Sequence, residues 1–185
     1  MTYLRHASRH VHETVLKHVE YHIGALGWTT PGSTPFAAPV VEIQGSMPEE
    51  HEEIKRLQPG RLAVTLGPVT DPMPQEMGGP LVAVEYPFFF DCFMDTDATA
   101  TALADDVRDI LLGRQAHTST YLKVFDFTTA TPVAISGWML EIDDVVRTKA
   151  VGWKNWQITK ATATLYYNED DVDHSSLGYP SATWA

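Results

Sequence analysis

The segment LVAVEYPFFFDCFM, from Leu81 to Met94, limits the possible folds of this chain more than any other stretch. Successive side chains of a strand point to opposite faces, so its even-numbered positions put seven apolar side chains on one face. On the other face, Phe89 and Phe93 flank Asp91. Two largely apolar faces are typical of a central strand packed on helices or on a partner chain. Pro87 lacks an N–H and therefore indicates an edge, a bulge or a bend.

The residues that follow this strand predict an amphipathic helix. Asp95 or Asp97 is expected to cap its first turn, because a carboxylate accepts hydrogen bonds from the free N–H groups there. Gly113 is its expected end. The apolar positions form one stripe and the charged positions lie off it: Ala100, Leu103, Ala104, Val107, Ile110 and Leu111 against Asp105, Asp106, Arg108 and Asp109.

Hydrophobic periodicity and turn residues predict the remaining elements. Helices are expected over 3–26 and 48–57, and strands over 40–43, 62–67, 120–127, 136–149 and 156–167, with a turn or bulge at Asp143–Asp144. Residues 68–80 are rich in Pro and Gly and predict an exposed loop. The fold class is therefore α+β, with a single domain over residues 1–167 and a mixed, mostly antiparallel sheet flanked by two or three helices. Residues 168–185 are predicted to form an acidic tail that is mobile or bound by a partner.

The charge balance argues against a protein that holds nucleic acid by its phosphates. The chain has 13 Lys and Arg residues against 24 Asp and Glu residues, a formal net charge of −11. Phosphate binding needs clustered cations, whereas an acidic surface lets DNA pass without sticking. No apolar run approaches the roughly 20 residues that cross a bilayer, and no apolar leader opens the chain, so no membrane association is expected. The single cysteine, Cys92, indicates a buried, inert thiol and a reducing compartment.

Histidines crowd the first predicted helix, and two pairs have the four-residue spacing that places both rings on one helix face. These pairs are His6 with His10, and His18 with His22. Such a pair can bind a metal ion, but two rings leave the coordination incomplete and the HExxH pattern is absent. The favoured interpretation is a solvated helix face with some partly buried rings. The alternative is a small metal-dependent hydrolase that uses His18 and His22 with acidic ligands from elsewhere.

The other motifs favour a binding role over catalysis. The sequence has no nucleophile elbow, no phosphate-binding loop and no dinucleotide fingerprint, so neither an enzyme nor a cofactor is predicted. Aromatic side chains are frequent at the centres of protein interfaces. Trp153 and Trp156, in the segment VGWKNWQ, are therefore expected near a partner. Trp184 lies in the predicted tail and is expected to dock on another chain.

The order of elements resembles that of the tail terminator proteins of long-tailed bacteriophages and of their relatives among neck and tail-completion proteins. The resemblance spans residues 1–168 and is sharpest over Val82–Leu112 and Trp156–Tyr167. In the first of these, a strand ending F-x-F-D-x-F leads into the Ala-rich helix ATATALADDVRDIL, and the second is the late strand WQITKATATLYY.

This resemblance implies a structural virion protein that assembles in the host cytoplasm. Its subunits would form a ring, usually a hexamer, at the head-proximal end of the tail tube. The ring would end tube growth and offer a joining surface to the head connector or head-closure protein, while DNA passes through the lumen without specific binding. The family has no catalytic motif to carry over. Another neck component, a head-closure or tail-completion protein, is the nearest alternative.

Residues of opposite charge supply one hypothesis for the contact between subunits. The basic residues cluster late in the chain, and the acidic ones lie on the exposed side of the predicted helix after the central strand. Pairing across the interface is expected between Lys149, Lys154 and Lys160 of one subunit and Asp105, Asp106 and Asp109 of its neighbour.

Overall fold

A computed structural model describes residues 7–28, 42–44, 61–67, 69–70, 73–75, 81–113, 121–127, 130–153 and 155–168. The helices are α1 (Ala7–Ala25) and α2 (Asp97–Leu111), and the strands are β1 (Glu42–Gln44), β2 (Arg61–Leu66), β3 (Met73–Pro74), β4 (Leu81–Phe93), β5 (Tyr121–Asp126), β6 (Val133–Lys149) and β7 (Trp156–Asn168). One sheet has the order β1-β2-β4-β7-β6-β5, with β3 also on β4. Among the described strands, β1 and β2 form the one parallel pair. The predicted α+β class with a mixed, mostly antiparallel sheet is confirmed. The predicted tail start is wrong by one residue, since Asn168 pairs with Leu81 as the last residue of β7. The predicted helix over 48–57 and residues 169–185 of the predicted tail lie outside the described residues.

The strand β4 is central, as its sequence predicts. It pairs with β7 along its whole length and with β2 and β3 on its other edge. Both helices pack on its even-numbered face, where the His12 ring of α1 stacks on Phe88 and Thr159 of β7 donates to the Ala104 carbonyl of α2. All even-numbered residues of β4 are buried, whereas Glu85, Pro87 and Phe89 on the other face are half-buried. The expectation that both faces are covered therefore holds at Ala83 and from Asp91 to Phe93, but not between them.

Pro87 lies inside a continuous strand, and its missing N–H disturbs no pairing with β7. The Pro87 carbonyl accepts from the Gly67 N–H at 2.7 Å. In an antiparallel pair one residue presents its N–H and C=O to the same neighbour. The missing donor of Pro87 therefore faces Gly67, where β2 has already ended. A Cβ on Gly67 would lie 3.0 Å from the Phe89 ring and 3.2 Å from Pro87, which explains the glycine there.

The edge strand β5 is covered by polar side chains of α1. The His10 Nδ1 accepts from the Phe127 N–H, and the Thr14 Oγ1 accepts from the Phe125 N–H, each at 3.2 Å. His10 and Thr14 are four residues apart on the helix, a rise of about 6 Å. Phe125 and Phe127 are two residues apart along an extended chain, about 6.6 Å, so the acceptors and the donors have matching spacings. This match explains why His10 and Thr14 are buried polar residues.

The solvated helix face predicted for the histidines is wrong for two of them. His10 is only 1% exposed and His12 only 8% exposed, because both face the sheet. Burial lowers the pKa of His12, opposed by the charge of Glu13. The His12 Nε2 has no hydrogen-bond partner among the described residues. The stacking on Phe88 thus accommodates a neutral imidazole in the core.

The cap of α2 differs from the predicted aspartates. Thr96 is the N-cap: its Oγ1 accepts from the Thr99 N–H, and the Thr99 side chain reaches back to the Thr96 N–H. Thr96 has the extended backbone of an N-cap, and this reciprocal pair of hydrogen bonds satisfies two donors at once. Asp95 accepts from the Thr99 hydroxyl instead, and Asp97 is the first helical residue.

Three smaller expectations can be compared directly with the structure. The irregularity predicted at Asp143–Asp144 is confirmed, since the β6–β7 register shifts between Asp143 and Val146 and Asp144 has a φ of 50°. The loop predicted over 68–80 contains the short strand β3, so that prediction is wrong at Met73–Pro74, where the chain returns to the edge of β4. Cys92 is fully buried, and burial raises the pKa of its thiol well above the ordinary value.

Among the described residues, no helix combines the length and apolarity that a bilayer-crossing segment requires.

Replacing Thr14 with Val tests the covering of the β5 edge. The T14V side chain has nearly the same shape but leaves the part-buried Phe125 N–H without its acceptor, which costs about 1–3 kcal/mol. Thr14→Ser retains the hydroxyl and is the matched control. Urea unfolding of both variants should place T14V clearly below T14S in free energy of unfolding. Equal values for the two variants would contradict this role of Thr14.

Candidate interaction surfaces

The sheet face opposite the helices is the largest candidate surface, and we call it the open face. Within the described part of the chain, both helices lie on the other side. The residues of its three long strands that lie on the open face are Leu81, Ala83, Glu85, Pro87, Phe89, Asp91 and Phe93 of β4, Trp156, Ile158, Lys160, Thr162, Thr164, Tyr166 and Asn168 of β7, and Met139, Glu141, Asp143, Val146 and Thr148 of β6.

An apolar band crosses the middle of the open face. Phe89, Lys160 and Val146 lie opposite one another on three adjacent strands. The Lys160 ammonium lies 5.6 Å from the centre of the Phe89 ring, and Val146 is 52% exposed. Met139 adds a second exposed apolar side chain further along β6. Lone exposed apolar residues are ordinary, but a band of them on one flat face is typical of a contact surface.

Carboxylates line the neighbouring rows of the open face. Glu85 and Glu141 lie on either side of Thr164, and Asp143 lies beside Thr162. Partial burial raises the pKa of Asp143, and the charges of Glu141, Asp144 and Glu85 raise it further. These groups therefore form two acidic rows of the open face, between its apolar band and Met139.

The aromatic cluster at one end of the sheet is built around a buried carboxylate. Trp156 packs on Phe93 and Trp153, and its indole N–H donates to the Asp91 Oδ1 at 2.9 Å. Burial raises the pKa of Asp91 to about 6, and the hydrogen bond from Trp156 partly offsets this. This pair is the structural reason for the single Asp within the run FFFDCF.

The turn between β6 and β7 projects beyond this cluster, and we call residues 150–153 the hairpin end. Val151 is 93% exposed, and Gly152 has a φ of 83° that favours glycine. An open groove of about 520 Å³ is lined by Lys149, Ala150, Val151, Gly152 and Trp153. Trp153 is half-buried. The hairpin end therefore presents an exposed apolar tip beside a groove.

Several predicted contact residues have partners within the chain. Lys149 pairs with Asp97 at 3.0 Å, Arg147 pairs with Asp105 at 3.2 Å, and Trp28 donates to Asp106 at 2.9 Å. Asp109 is half-buried on α2. Trp156 is buried, and Lys154 and Trp184 lie outside the described residues. Pairing of the lysines and aspartates between subunits stays a prediction, and Lys149 and Asp105 would have to leave or share their present partners.

Sequence reasoning missed the open face, although a signal for it was present. In the segment from Trp156 to Asn168, the odd-numbered residues are all buried. The even-numbered residues between them include the exposed Lys160 and four half-buried residues. Such alternation is typical of a strand with one covered face. The contrast with the buried even face of β4 becomes visible only when the register of the strands is known.

His18 and His22 lie together on α1. Their ring centroids are 4.7 Å apart with 68° between the planes, and the exposed Tyr21 ring lies 5.2 Å from His22. Burial and then the nearby His22 lower the pKa of His18, whereas a hydrogen bond to the Ile110 backbone raises it. Among the described residues, no group of three or more His, Cys, Asp or Glu side chains is arranged to hold a metal ion.

Comparison of the chain with models of known protein families and with curated proteins finds no match in either case. The open face and the hairpin end are therefore the features from which a function can be proposed. They are two different surfaces on one subunit, at the middle and at the end of the same sheet.

The buried Asp91 predicts a specific dependence of stability on pH. Its pKa rises from 3.8 to about 6 on folding, so the folded state binds the proton more tightly. The Asp91 carboxyl therefore stabilises the fold most below about pH 4. This contribution decreases as the pH rises to about 6, and it no longer changes at higher pH. At neutral pH the cost is on the order of 3 kcal/mol.

Asp91→Asn should be more stable than the natural chain at pH 7.5, with the advantage disappearing near pH 4. Asparagine keeps an acceptor for the Trp156 N–H and cannot ionise. Urea unfolding at the two pH values measures the effect, and Asp105→Asn is the control at a half-buried carboxylate. A D91N advantage that is the same at both pH values would contradict the assignment.

Proposed function

We propose that this protein is a structural virion protein of a long-tailed bacteriophage, a tail terminator that forms a ring on the head-proximal end of the tail tube. The order of elements supports the resemblance stated above: α1, short strands, the long β4 ending in aromatic residues, α2 and a late strand β7 paired with β4. The single observation that carries the proposal is the open face of the sheet.

The open face has the composition of a protein contact. Val146 and Met139 are each about half exposed, and Phe89 is half-buried with the Lys160 ammonium over its ring. Aromatic residues and Met are enriched at interface centres, and charged residues are usual at the rim. The apolar band supplies area of the first kind, whereas the acidic rows lie between this band and Met139 rather than at the rim. Covering the band removes apolar side chains from water, which favours association.

Ring assembly requires two different surfaces on each subunit. A closed ring of identical chains uses a heterologous contact, in which one patch meets a different patch of the next copy. The open face and the hairpin end meet this requirement, since Val151 projects at the turn while Val146 and Met139 lie on the flat sheet. We infer that the hairpin end of one subunit contacts the open face of the next.

The charge of the chain suits a ring through which DNA passes. A net charge of −11 repels phosphates and therefore disfavours sticking. The tail tube protein and the head connector or head-closure protein would be the partners above and below the ring. Another neck component would share the same surfaces, so the effect on tube length distinguishes a terminator from its relatives.

Replacing Val151 with Asp tests the proposed contact. A charge at the exposed tip should prevent its burial against the next subunit and leave the fold of the single chain unchanged. Native mass spectrometry should show a ring of the natural chain, expected to contain six copies, and mainly monomer for V151D. Val133→Asp is the matched control, because Val133 is 60% exposed at the start of β6.

The proposal would be overturned if the natural chain stays monomeric both alone and with its tail tube protein. A ring that ends tube growth should also limit tube length when added to polymerising tube protein. A ring that leaves tube length unchanged would support another neck component instead. Far-UV circular dichroism of V151D and V133D shows that each variant is folded.

A further inference from the structure

The pair His18 and His22 is spaced as two ligands of one metal ion would be. The residues are one helical turn apart on α1, and their ring centroids lie 4.7 Å apart with 68° between the planes. Two imidazoles bound to one ion at about 2.0–2.1 Å from each nitrogen place their centroids roughly 4.5–5.2 Å apart. The distance between the ring centres therefore fits two ligands of one ion, and rotation of the edge-to-face rings would direct one nitrogen of each toward it.

The hydrogen bond of His18 is the one that a metal-binding histidine usually makes. His18 is hydrogen-bonded to the backbone of Ile110, and a carbonyl accepts only from a ring N–H. With one nitrogen as the donor, the other keeps its lone pair for a metal ion. Metal-bound histidines typically donate their second N–H to a backbone carbonyl, which fixes the orientation of the ring.

The position of Ile110 favours a bound cation electrostatically. Ile110 lies in the last turn of α2, and its carbonyl also accepts from the Gly113 N–H at 2.9 Å. The carbonyl groups at a helix C-terminus carry partial negative charge and stabilise a nearby cation. The pair thus combines two nitrogen ligands with the negative end of a second helix.

We propose that His18 and His22 form a surface site for a divalent transition-metal ion of the kind that imidazole prefers, such as Cu²⁺, Ni²⁺ or Zn²⁺. The two rings supply two ligands, and solvent completes the coordination. Binding follows the usual order for these ions, with Cu²⁺ the tightest, and Mg²⁺ does not compete because it prefers oxygen ligands. The site goes beyond the proposed ring and requires no catalytic step.

Metal binding would stabilise the C-terminal half of α1. An ion that binds the folded chain more tightly than the unfolded chain stabilises the fold by mass action. The residues Tyr21 and Leu26 nearby are exposed, so the ion can reach the site from solvent. The stabilising effect should therefore be observable without any partner protein.

The test is titration of Cu²⁺ and Zn²⁺ into the full chain by isothermal calorimetry, with the melting temperature measured in parallel. One ion per chain should bind, and His22→Gln should weaken binding by about tenfold or more and abolish the shift in melting temperature. His174→Gln, which changes a histidine far along the chain, is the control and should retain the natural affinity. Mg²⁺ should produce no shift.

Electron paramagnetic resonance of the bound Cu²⁺ adds a readout of the ligands themselves. Coupling to two imidazole nitrogens is expected in the natural chain and to one in H22Q. If H18Q disturbs folding through loss of the Ile110 contact, H22Q alone decides. Binding by H22Q with the same affinity and the same two-nitrogen spectrum would overturn the proposal, as would no binding by the natural chain.

Discussion

Burial of one face of β4 is the interaction on which the rest of the structure depends. Phe88 and Phe90 are almost fully buried on this face, and complete burial of such a side chain contributes about 1.5–3 kcal/mol. The same face contacts α1 through His12 and, by way of β7, contacts α2 through Thr159. Because β4 also pairs on both edges, its position fixes the helices relative to the strands. The short, well-capped connection through Thr96 then brings α2 back over the sheet.

The placement of both helices on one side decides which surfaces remain for partners. The described part of β5 cannot extend the sheet at Phe125 and Phe127, because α1 side chains occupy those N–H groups. Covered edges of this kind prevent uncontrolled strand addition between chains. Strand addition at Phe125 and Phe127 on the β5 edge is thus blocked, while the open face and the hairpin end stay accessible. The chain would then form a contact between side chains on a flat face and a projecting turn.

Local pattern was enough to predict the elements that carry the core. The even-numbered apolar positions of β4, the stripe on α2 and the irregularity at Asp143–Asp144 all follow from periodicity over neighbouring residues. The cap of α2 was harder, since Asp95, Thr96 and Asp97 are all good N-cap residues and only the backbone selects Thr96. The short strand β3 was missed because the Pro and Gly residues of 68–80 predict a loop, and a pairing of two residues leaves no periodic pattern.

The features missed at the candidate surfaces depend on residues far apart in sequence. His10 and the Phe127 N–H are 117 residues apart, and Trp156 and Asp91 are 65 residues apart. No spacing rule could assign these partners before the register of the sheet was known. The ion pairs of Lys149 with Asp97 and of Arg147 with Asp105 could not be assigned from the sequence for the same reason. Predicting which surface is left open requires these long-range contacts.

Oxidative footprinting of Met139 tests the central claim, that the open face is covered in the assembled protein. Met139 is 51% exposed on the open face, whereas Met94 is only 3% exposed and serves as the internal reference. Brief hydroxyl-radical exposure followed by mass spectrometry would compare the assembled chain with monomeric V151D. The proposed contact predicts that Met139 is strongly protected in the assembly and reactive in the monomer, while Met94 reacts slowly in both. Equal reactivity of Met139 in the two states would contradict it.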